Sequence, residues 1–571
     1  KVKERRKHSL EVPKEEGGHF HDYFCPVHNL QFTFRWDKPL AQYCSACDKE
    51  WIGNNRYDWA WIYEVHMLNR DYMYQCMYLY LATGKRQYAD YIRTMLLDYA
   101  GKYAGWFEHN SGRKATDQHS GKAFAQSLDE ANWATKVAMA YMAIKPVLSK
   151  EEVKAIEEGY LQPAATLLLH RPAGANWQMW HNSGLAALGI ALENDSIVDV
   201  AINKDKYGYH YLIGKHKNSD GWINEGSPHY HYYPLEALLF TANAVKCRGI
   251  KLFDKDLHDM FVEPVKGTYP DLSFPAHSDG WYGANLLSQS ALYEVGNARY
   301  NDPFLKRVLE LTYAQKKRLD PEALLSNQLI KASEESLLQK SYSFDTSGFC
   351  LLRSDTRTVV LKFGGEGIGH GHPDKLSITI HDGKNELVSD FGTSGYGVPD
   401  YLKWYKRTLS HNTVTVDAKD QKRSVGKLLK FNPRSDGGYA EAETTTAYPG
   451  VRMKRSLDLK GTHLQDVYTC TSDSSHLYEY VILFNEKPLM DGQPTATTLT
   501  GSEVHERIHN IFSYPHKSGF TCRTSSASVQ FDIPEGEVME VVLGEASGIP
   551  ANPTVKDGPG AGDVAVKPCY P

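Results

Sequence analysis

Apolar residues recur every three or four positions from about Trp51 to about Leu338. The spacing is clearest in "YADYIRTMLLDYAGKY", "DEANWATKVAMAYMAI", "KAIEEGYLQPAATLLL", "NSGLAALGIAL" and "PLEALLFTANAVK", and it is the spacing of residues on one face of an α-helix. Short breaks rich in Gly, Pro and Asn separate these segments. The pattern predicts helical hairpins, and a long run of hairpins is typical of an α/α solenoid or toroid whose inner rim forms a groove.

After about Tyr342, apolar residues alternate with polar ones. The segments "TVVLKF", "LSITIH", "NTVTVD" and "EVMEVVLG" are rich in Val, Thr and Ile and predict antiparallel β-strands. The 571 residues also exceed what one ordinary core accommodates. The sequence therefore predicts an α+β multidomain protein with an N-terminal segment (1–50), a helical domain (51–338) and an antiparallel β domain (339–571).

Composition and charge disfavour some classes of protein. The chain has 64 Lys and Arg against 69 Asp and Glu, a net charge of -5, which is not typical of a nucleic-acid binder or a polybasic membrane protein. No apolar run approaches the ~20 residues of a membrane helix, and the start, "KVKERRKHSL", lacks the apolar core of a signal peptide. We expect a secreted or periplasmic protein in trimmed form, without a membrane span.

Two histidines and an aspartate mark the stretch "GHGHPDKLSITIHDGKNELVSDFG", residues 369–392. On a strand, His370 and His372 point to the same face. A turn at "HDGKN" then returns Asp390 toward them, and "SHNTVTVD" adds His411 at the entrance of another strand. Imidazole and carboxylate groups bind zinc and other divalent ions, although a lone histidine at a strand end is more often an ordinary polar residue.

Two motifs of the helical half place polar and aromatic residues beside helix starts. "GANWQMWHNSGLAALG" sets Asn176 just before a predicted helix, with Trp177 and His181 around its first turns. "SDGWINEGSPHYHYYPLEALL" sets Tyr230 and Tyr232 directly before another helix. Each motif alone fits a helix cap beside core aromatics. Together with the histidine hairpin, they indicate polar groups collected at the rim of a groove.

In chain order, "NWQMWHNSGLAALG", "DGWINEGSPHYHYY", "GHGHPDKLSITIHDGKNELVSDFGTSGY" and "SHNTVTVD" resemble the heparinase II/III superfamily of polysaccharide lyases. The resemblance runs from about Phe24 to at least Asp417 and implies an incomplete (α/α) toroid followed by an antiparallel β-sandwich. The catalytic residues that it implies are Asn176, Tyr230 and His370. The metal ligands that it implies are His372, Asp390 and His411. The metal would be a structural divalent ion, zinc by its ligand types and otherwise manganese or calcium, and no organic cofactor is implied.

The chemistry of that family is β-elimination at a uronic acid linked through its O4. A base removes the C5 proton, the bond to O4 breaks, and an unsaturated sugar remains. We expect Asn176 to hydrogen-bond the carboxylate on which charge develops. Tyr230 or His370 acts as the base, according to which face carries the proton, and Tyr230 donates to the leaving oxygen. A basic Tyr230 at neutral pH requires a pKa below the ordinary value of about 10.

The expected partner is an acidic polysaccharide. We expect a glycosaminoglycan (heparan sulfate, chondroitin sulfate or hyaluronan), with alginate as the alternative. The candidate substrate-binding residues are Trp177, His181, Tyr232 and Arg407. Arg407 lies among the cationic residues of "YLKWYKRTLSHN", a cluster suited to sulfate or carboxylate groups and equally to a solvated strand edge.

Three other functions fit parts of the pattern. A glycoside hydrolase on a helical toroid needs two carboxylates at the groove, for which Glu225 and Asp279 are the candidates. A non-catalytic glycan-binding protein keeps an aromatic groove but has no need for Asn176, Tyr230 and His370 together. A metal-dependent esterase needs a nucleophile and a base besides its ligands. The lyase accounts for more of the motif residues than any of these.

Four residues near the N-terminus form a separate candidate metal site. "FCPVHNLQFTFRWDKPLAQYCSACDKEW" contains Cys25-x2-His28 and Cys44-x2-Cys47, the spacing of a four-ligand zinc knuckle. The same cysteines also fit a disulfide in an oxidising compartment, or buried thiols. Nine cysteines in 571 residues are too few for a disulfide scaffold.

Overall fold

The computed structural model describes residues 2–8, 11–28, 30–115, 119–326, 330, 337, 340–365, 367–397, 399–516, 519–525, 527–532, 539–549 and 568–569. Across these ranges, none of the helices is long and apolar enough to cross a membrane. The predicted domain boundaries stay predictions. The one at 338/339 falls outside the described residues, and a strand, Lys49–Ile52, spans the one at 50/51.

Helices dominate the chain up to Ser326. They are α1 (Val2–Arg5), α2 (Asn55–Thr83), α3 (Arg86–Tyr103), α4 (Ser127–Ile144), α5 (Lys150–Ile156), α6 (Gln162–Leu169), α7 (Ala175–Ala191), α8 (Asp195–Asn203), α9 (Tyr209–His216), α10 (His229–Val245), α11 (Lys255–Val262), α12 (Ser290–Tyr300), α13 (Pro303–Gln315) and α14 (Ala323–Ser326). A π-turn, Glu157–Leu161, joins α5 to α6. The five segments with helical spacing lie in these elements to within one residue, so the pattern-based prediction is confirmed.

The helices form two layers around a shared apolar core. In the first layer, α2 packs against α4, α4 against α7, α7 against α10, and α10 against α12. In the second layer, α3 packs on α2, α8 on α7, and α13 on α12. Trp133 of α4 and Trp180 of α7 are fully buried, because the apolar faces of neighbouring helices meet there. This arrangement is the incomplete (α/α) toroid expected from the sequence.

Antiparallel sheets make up the C-terminal half, and one further hairpin lies near the N-terminus. The strands are β1 (Ala41–Cys44), β2 (Lys49–Ile52), β3 (Tyr342–Phe344), β4 (Phe349–Arg353), β5 (Thr358–Lys362), β6 (Ser377–His381), β7 (Glu386–Val388), β8 (Val414–Val416), β9 (Lys427–Arg434), β10 (Gly437–Tyr448), β11 (Val451–Lys460), β12 (His463–Ser472), β13 (Tyr478–Tyr480), β14 (Leu489–Met490), β15 (Thr495–Ala496), β16 (His509–His516), β17 (Phe520–Arg523), β18 (Ser528–Phe531), β19 (Met539–Ser547) and β20 (Pro568–Cys569). The largest sheet has the order β12-β11-β10-β4-β5-β6-β7, with β3 beside β4. The hairpin β1–β2 stands apart, in the N-terminal segment.

The helical and β domains share one apolar core. Phe344, Phe349 and Val360, on β3, β4 and β5, belong to the same buried cluster as the helices. The ring of Trp222, from the helical half, lies 5.9 Å from that of Phe344 and 5.7 Å from that of Phe349. The β5–β6 loop, which carries two candidate histidines, is therefore anchored to the helical domain.

His370 and His372 lie in the loop between β5 and β6, so the prediction that they sit on a strand is wrong. Gly367 and Gly369 have φ angles of +69° and +78°, a left-handed conformation that glycine adopts without steric cost. A Cβ atom at position 367 would lie 2.6 Å from the carbonyl oxygen of Glu225. Glycine thus lets the loop approach the helical domain closely.

Asn176 and Tyr230 are the second residues of α7 and α10, and do not precede these helices as the motifs had indicated. Ala175 has a φ angle of +49°, a left-handed conformation that costs a non-glycine residue about 1 kcal/mol or more. Pro228 precedes α10, a position that proline tolerates well. Both helices thus begin early enough to project these side chains from their first turns.

Candidate active site and metal centre

His370 lies at the centre of the candidate site. Its ring stacks on that of Tyr230, with centroids 3.5 Å apart and planes 15° apart. Its Nδ1 lies 2.9 Å from Asp279 Oδ2, and its Nε2 lies 3.6 Å from Glu225 Oε2. Because an ionised carboxylate only accepts hydrogen bonds, a neutral His370 carries its proton on Nδ1 and keeps a lone pair on Nε2. With 21% of its side chain exposed, His370 has the position that a general base requires.

Asn176 is held by Glu225. Its backbone N–H donates to Glu225 Oε1 at 2.9 Å, and its side-chain amide donates to Oε2 at 2.5 Å. Burial raises the pKa of Glu225, while His370 and the hydrogen bonds from Asn176 act in the opposite direction. The amide nitrogen has two hydrogens, so Asn176 keeps one for a ligand. Glu225 contacts Asn176 and approaches His370, which brings these two predicted catalytic residues together.

Tyr230 and Tyr232 point to different sides of α10. The hydroxyl of Tyr230 lies 2.5 Å from that of Tyr396, whereas Tyr232 is buried with its hydroxyl 3.3 Å from that of Tyr293. Helix geometry explains this, because residues two positions apart are separated by about 200°. Burial raises the pKa of Tyr230 well above its ordinary value, and the hydrogen bond with Tyr396 offsets only part of that effect. Tyr230 is therefore a neutral hydroxyl, which suits an acid better than the base considered from the sequence.

Asp279 is a buried carboxylate that connects the two histidines. Oδ2 accepts from His370, and Oδ1 accepts from His372 Nε2 at 3.0 Å. The hydroxyls of Tyr396 and Tyr401 each donate to Oδ2 at 3.1 Å. Burial by itself raises the pKa of Asp279, but the hydrogen bonds from the two histidines outweigh it and hold the pKa well below its ordinary range. Asp279 is thus an anion that orients both imidazoles.

Of the predicted metal ligands, His411 lies beside both His372 and Asp390 in the β domain. His372 Nε2 donates to Asp279, and His411 Nδ1 lies 2.8 Å from the carbonyl oxygen of Arg407. Neutral rings therefore carry their protons on the nitrogens that point away from each other. The facing nitrogens, His372 Nδ1 and His411 Nε2, lie 3.1 Å apart and present two lone pairs. A cation between them removes that repulsion, since two nitrogen ligands of a tetrahedral metal lie about 3.3 Å apart.

Two carboxylates lie beside this nitrogen pair. Asp390 Oδ1 is 3.8 Å from His411 Nε2. Asp374, which the sequence had not indicated, forms with Asp390 and His411 a group whose donor atoms lie within 4.8 Å of one another, and the predicted ligand His372 stands beside this group and not within it. Asp374 also pairs with the ammonium groups of Lys362 and Lys375. Two imidazoles with one or two carboxylates fit a divalent metal ion.

The predicted substrate-binding residues of the helical domain lie in different environments. Trp177 is half-buried at the start of α7, with its ring 4.9 Å from that of His119. His181 and Tyr232 are buried in the helical core, so they do not line a groove. Trp177 is thus the residue of the three whose position beside Asn176 suits contact with a ligand.

The cationic cluster near the site is engaged with anions of the protein. Arg407 forms ion pairs with Asp420 and Glu503 at 2.6 and 2.7 Å. Lys406 Nζ lies 2.9 Å from the Tyr401 hydroxyl and 3.7 Å from Asp279. These contacts leave the predicted role of Arg407 in binding sulfate or carboxylate groups with little structural support.

Sequence reasoning missed Tyr396 and Tyr401 and gave Asp279 a different role. Tyr396 ends the third motif, but no spacing rule separates it from a core aromatic. Asp279 and Glu225 were the candidate pair of a glycoside hydrolase. In the structure, these carboxylates lie on either side of the His370 imidazole and are already hydrogen-bonded, which does not fit a carboxylate pair that acts across an open groove.

Two family models match the chain in succession. The model described as "Alginate lyase" matches residues 65–262, in the helical domain. The model described as "Heparinase II/III-like, C-terminal" matches residues 337–525, in the β domain. These matches confirm the resemblance to heparinase II/III-type lyases.

The chain is also similar to curated bacterial proteins. An "Alginate lyase" from Stenotrophomonas maltophilia is 29% identical over 476 residues, which cover 74% of this chain and 63% of that protein. An "Exo-oligoalginate lyase" from Saccharophagus degradans is 26% identical over 485 residues, 75% of this chain and 64% of that protein. A "Heparin-sulfate lyase" from Bacteroides stercoris is 26% identical over 253 residues, 42% of this chain and 35% of that protein. The chain therefore spans less than two thirds of the length of these relatives.

Solved structures share the fold. A heparinase III has a TM-score of 0.57 at 15% identity, covering 84% of this chain and 76% of that chain. A heparan sulfate lyase from Pedobacter heparinus has a TM-score of 0.56 at 15% identity, covering 96% and 82%. At this identity the likeness concerns the fold alone, and it confirms a toroid followed by an antiparallel β domain.

Proposed function

We propose that the chain is a polysaccharide lyase that cleaves a uronic-acid polymer by β-elimination, with alginate as its substrate. The observation that carries this proposal is the cluster in which Tyr230 stacks on His370 and Glu225 links His370 to Asn176. A neutral hydroxyl, an imidazole with a free lone pair and an amide donor are the acid, the base and the anion stabiliser that elimination needs. The similarity to named alginate and heparin-sulfate lyases supports the same reaction class.

Each of these residues has one task in the proposed reaction. Asn176 donates its remaining amide hydrogen to the uronate carboxylate and stabilises the charge that develops when C5 loses its proton. His370 Nε2 takes that proton, and Asp279 stabilises the resulting imidazolium. Tyr230 gives its hydroxyl proton to O4 as the C4–O4 bond breaks and the C4–C5 double bond forms. One proton is taken up and one is given, and no water is consumed.

The hydrogen-bond chain of the site offers a route for resetting the acid and the base. After the reaction, His370 holds an extra proton and Tyr230 lacks one. Tyr396 is hydrogen-bonded to Tyr230 and to Asp279, the partner of His370. A proton passed from His370 Nδ1 along this chain restores the hydroxyl of Tyr230 and leaves His370 neutral with its proton on Nε2. Exchange with solvent at the partly exposed His370 ring then returns the proton to Nδ1 and frees Nε2 for the next cycle.

Alginate replaces the glycosaminoglycans as the first choice of substrate. The relatives named as alginate lyases match over 476 and 485 residues, against 253 for the heparin-sulfate lyase of Bacteroides stercoris. Alginate carries carboxylates but no sulfates, which agrees with the internal pairing of Arg407 and Lys406. Because such polymers lie outside the cell, we also propose that the protein acts there, secreted or in the periplasm.

The proposed metal ion has a structural role. His372, Asp390 and His411, with Asp374 nearby, would hold it, and zinc is the first candidate from these ligand types, before manganese or calcium. Through Asp279, a metal-bound His372 fixes the orientation of His370, as outer-sphere carboxylates commonly do. The ion takes no part in the proton transfers.

A panel of purified polymers tests the proposed function. Mannuronate-rich and guluronate-rich alginates should yield ultraviolet-absorbing unsaturated uronides, at least ~10-fold faster than heparan sulfate, chondroitin sulfate or hyaluronan, a ratio that corresponds to about 1.4 kcal/mol of transition-state binding. Faster cleavage of a sulfated polymer would restore the glycosaminoglycan alternative. A folded, metal-loaded protein that forms no unsaturated product from any polymer would contradict the lyase itself.

A further inference from the structure

The N-terminal segment contains four metal-binding side chains that the proposed reaction does not use. Cys25 and His28 come from one tight turn, and Cys44 and Cys47 come from the turn of the β1–β2 hairpin. The two turns face each other, so that all four donor atoms lie within 4.8 Å of one another.

The distances between these atoms match a tetrahedral zinc site. Cys25 Sγ is 3.7 Å from His28 Nδ1 and 4.0 Å from Cys47 Sγ, and Cys44 Sγ is 3.8 Å from His28 Nδ1. With zinc–sulfur bonds of about 2.3 Å and zinc–nitrogen bonds of about 2.0 Å, tetrahedral geometry separates two sulfurs by about 3.8 Å and a sulfur from a nitrogen by about 3.5 Å. A disulfide requires about 2.05 Å, so Cys25 and Cys47 are not bonded, and these three cysteines are free thiols in the structure.

We propose that Cys25, His28, Cys44 and Cys47 bind one structural zinc ion, and that this ion holds the N-terminal arm, residues 19–24, against the candidate active site. Three sulfurs and one imidazole form a closed set of four ligands, which is typical of structural zinc and leaves no open position for a substrate.

The zinc site is connected to the helical domain through packing. Tyr23 and Phe32 form an apolar cluster with Ala60 of α2, in which Cys25 and Cys44 are also buried. This cluster is small, and a segment of this size depends on a metal or a similar cross-link for its order. Binding of zinc therefore stabilises the two turns and, with them, the arm that directly precedes Cys25.

The arm that precedes Cys25 contacts the tyrosine loop of the candidate site. The ring of His21 meets that of Tyr396 edge-on, with centroids 4.8 Å apart. A Cβ atom at Gly397 would overlap the carbonyl oxygen of His21, so the arm and the loop are in close contact. Asp22 pairs with Arg56 of α2 at 2.5 Å. This second part of the inference rests on the proposed function, whereas zinc binding does not.

Metal analysis of the full chain tests the zinc site. The Cys44→Ser/Cys47→Ser double variant should contain one equivalent of zinc less than the wild type. Cys247→Ser, which removes an exposed thiol in the turn directly after α10, should contain the same amount as the wild type. His411→Ala alters the other predicted metal site, so the two differences can be assigned separately. A soluble double variant with unchanged zinc content would overturn the proposal.

The wild type offers a second measurement if the double variant does not fold. A mercurial titrant should release one zinc ion to a colorimetric chelator as three thiols react, and alkylation of the native protein should spare Cys25, Cys44 and Cys47 until zinc is removed. A disulfide among these cysteines, or a metal-free chain that takes up no zinc at this site, would overturn the proposal.

Hydrogen–deuterium exchange in residues 19–24 should rise on zinc removal, and unchanged exchange would refute the role of the arm whether or not the chain proves to be a lyase.

Discussion

Tyr230→Phe is expected to lower kcat by about 10²–10⁴-fold, the usual contribution of a general acid, and to leave the melting temperature nearly unchanged. The substitution removes the hydroxyl that donates to O4 and keeps the ring that stacks on His370. Tyr396 keeps Asp279 as a hydrogen-bond partner, so no buried polar group is stranded. Initial rates of unsaturated product on the best polymer, together with thermal unfolding, measure both effects.

Tyr232→Phe is the matched control for this experiment. It removes one hydroxyl from the same helix, but that hydroxyl contacts Tyr293 in the core. We expect its kcat to stay close to that of the wild type. If Tyr232→Phe lowers kcat and Tyr230→Phe does not, Tyr230 is not the acid.

His372→Ala is expected to lose the divalent metal of the β domain and to lower the free energy of unfolding by about 2–5 kcal/mol. The buried His372 donates to Asp279 Oδ1, and its removal leaves that buried oxygen without this donor, at about 1–3 kcal/mol. Loss of the bound ion adds to this destabilisation. Metal content and denaturant unfolding measure the two effects.

His370→Ala is the matched comparison, because both histidines donate to the same carboxylate. His370 is partly exposed, and Asp279 keeps His372, Tyr396 and Tyr401 as donors when it is removed. We therefore expect the variant to keep the metal and most of the stability while losing turnover. A His370→Ala variant that sheds the ion, or a His372→Ala variant that keeps it, would show that the two roles are reversed.

The periodicity of apolar residues is sufficient to predict the helices and strands, because burial of one face depends on that spacing. The periodicity does not predict the first residue of an element when a tertiary contact determines where that element begins. α7 begins at Ala175 with a strained φ of +49°, where Asn176 reaches Glu225. The loop with His370 leaves β5 after Lys362, and at Gly367 it meets the backbone of Glu225.

The resemblance to a lyase family indicated Asn176, Tyr230 and His370, which the structure brings together. Their partners come from distant parts of the chain, and no local pattern connects them. Asp279 lies 91 residues before His370, and Tyr396 lies 166 residues after Tyr230. The burial of Tyr232 likewise depends on the start of α10, which sets the side of the helix that each tyrosine occupies.

The central claim is that the bond to O4 is broken by elimination and not by hydrolysis. Digestion of alginate in water enriched in heavy oxygen, followed by mass spectrometry of the products, tests it most directly. Elimination predicts that the masses of the two fragments add up to the mass of the substrate and that the new non-reducing end is an unsaturated uronide. Bond cleavage then introduces no heavy oxygen. A pre-formed oligomer incubated in the same water measures the exchange of oxygen at reducing ends, which is subtracted. Fragments that together gain one water, with heavy oxygen incorporated at the cleaved bond, would contradict the account.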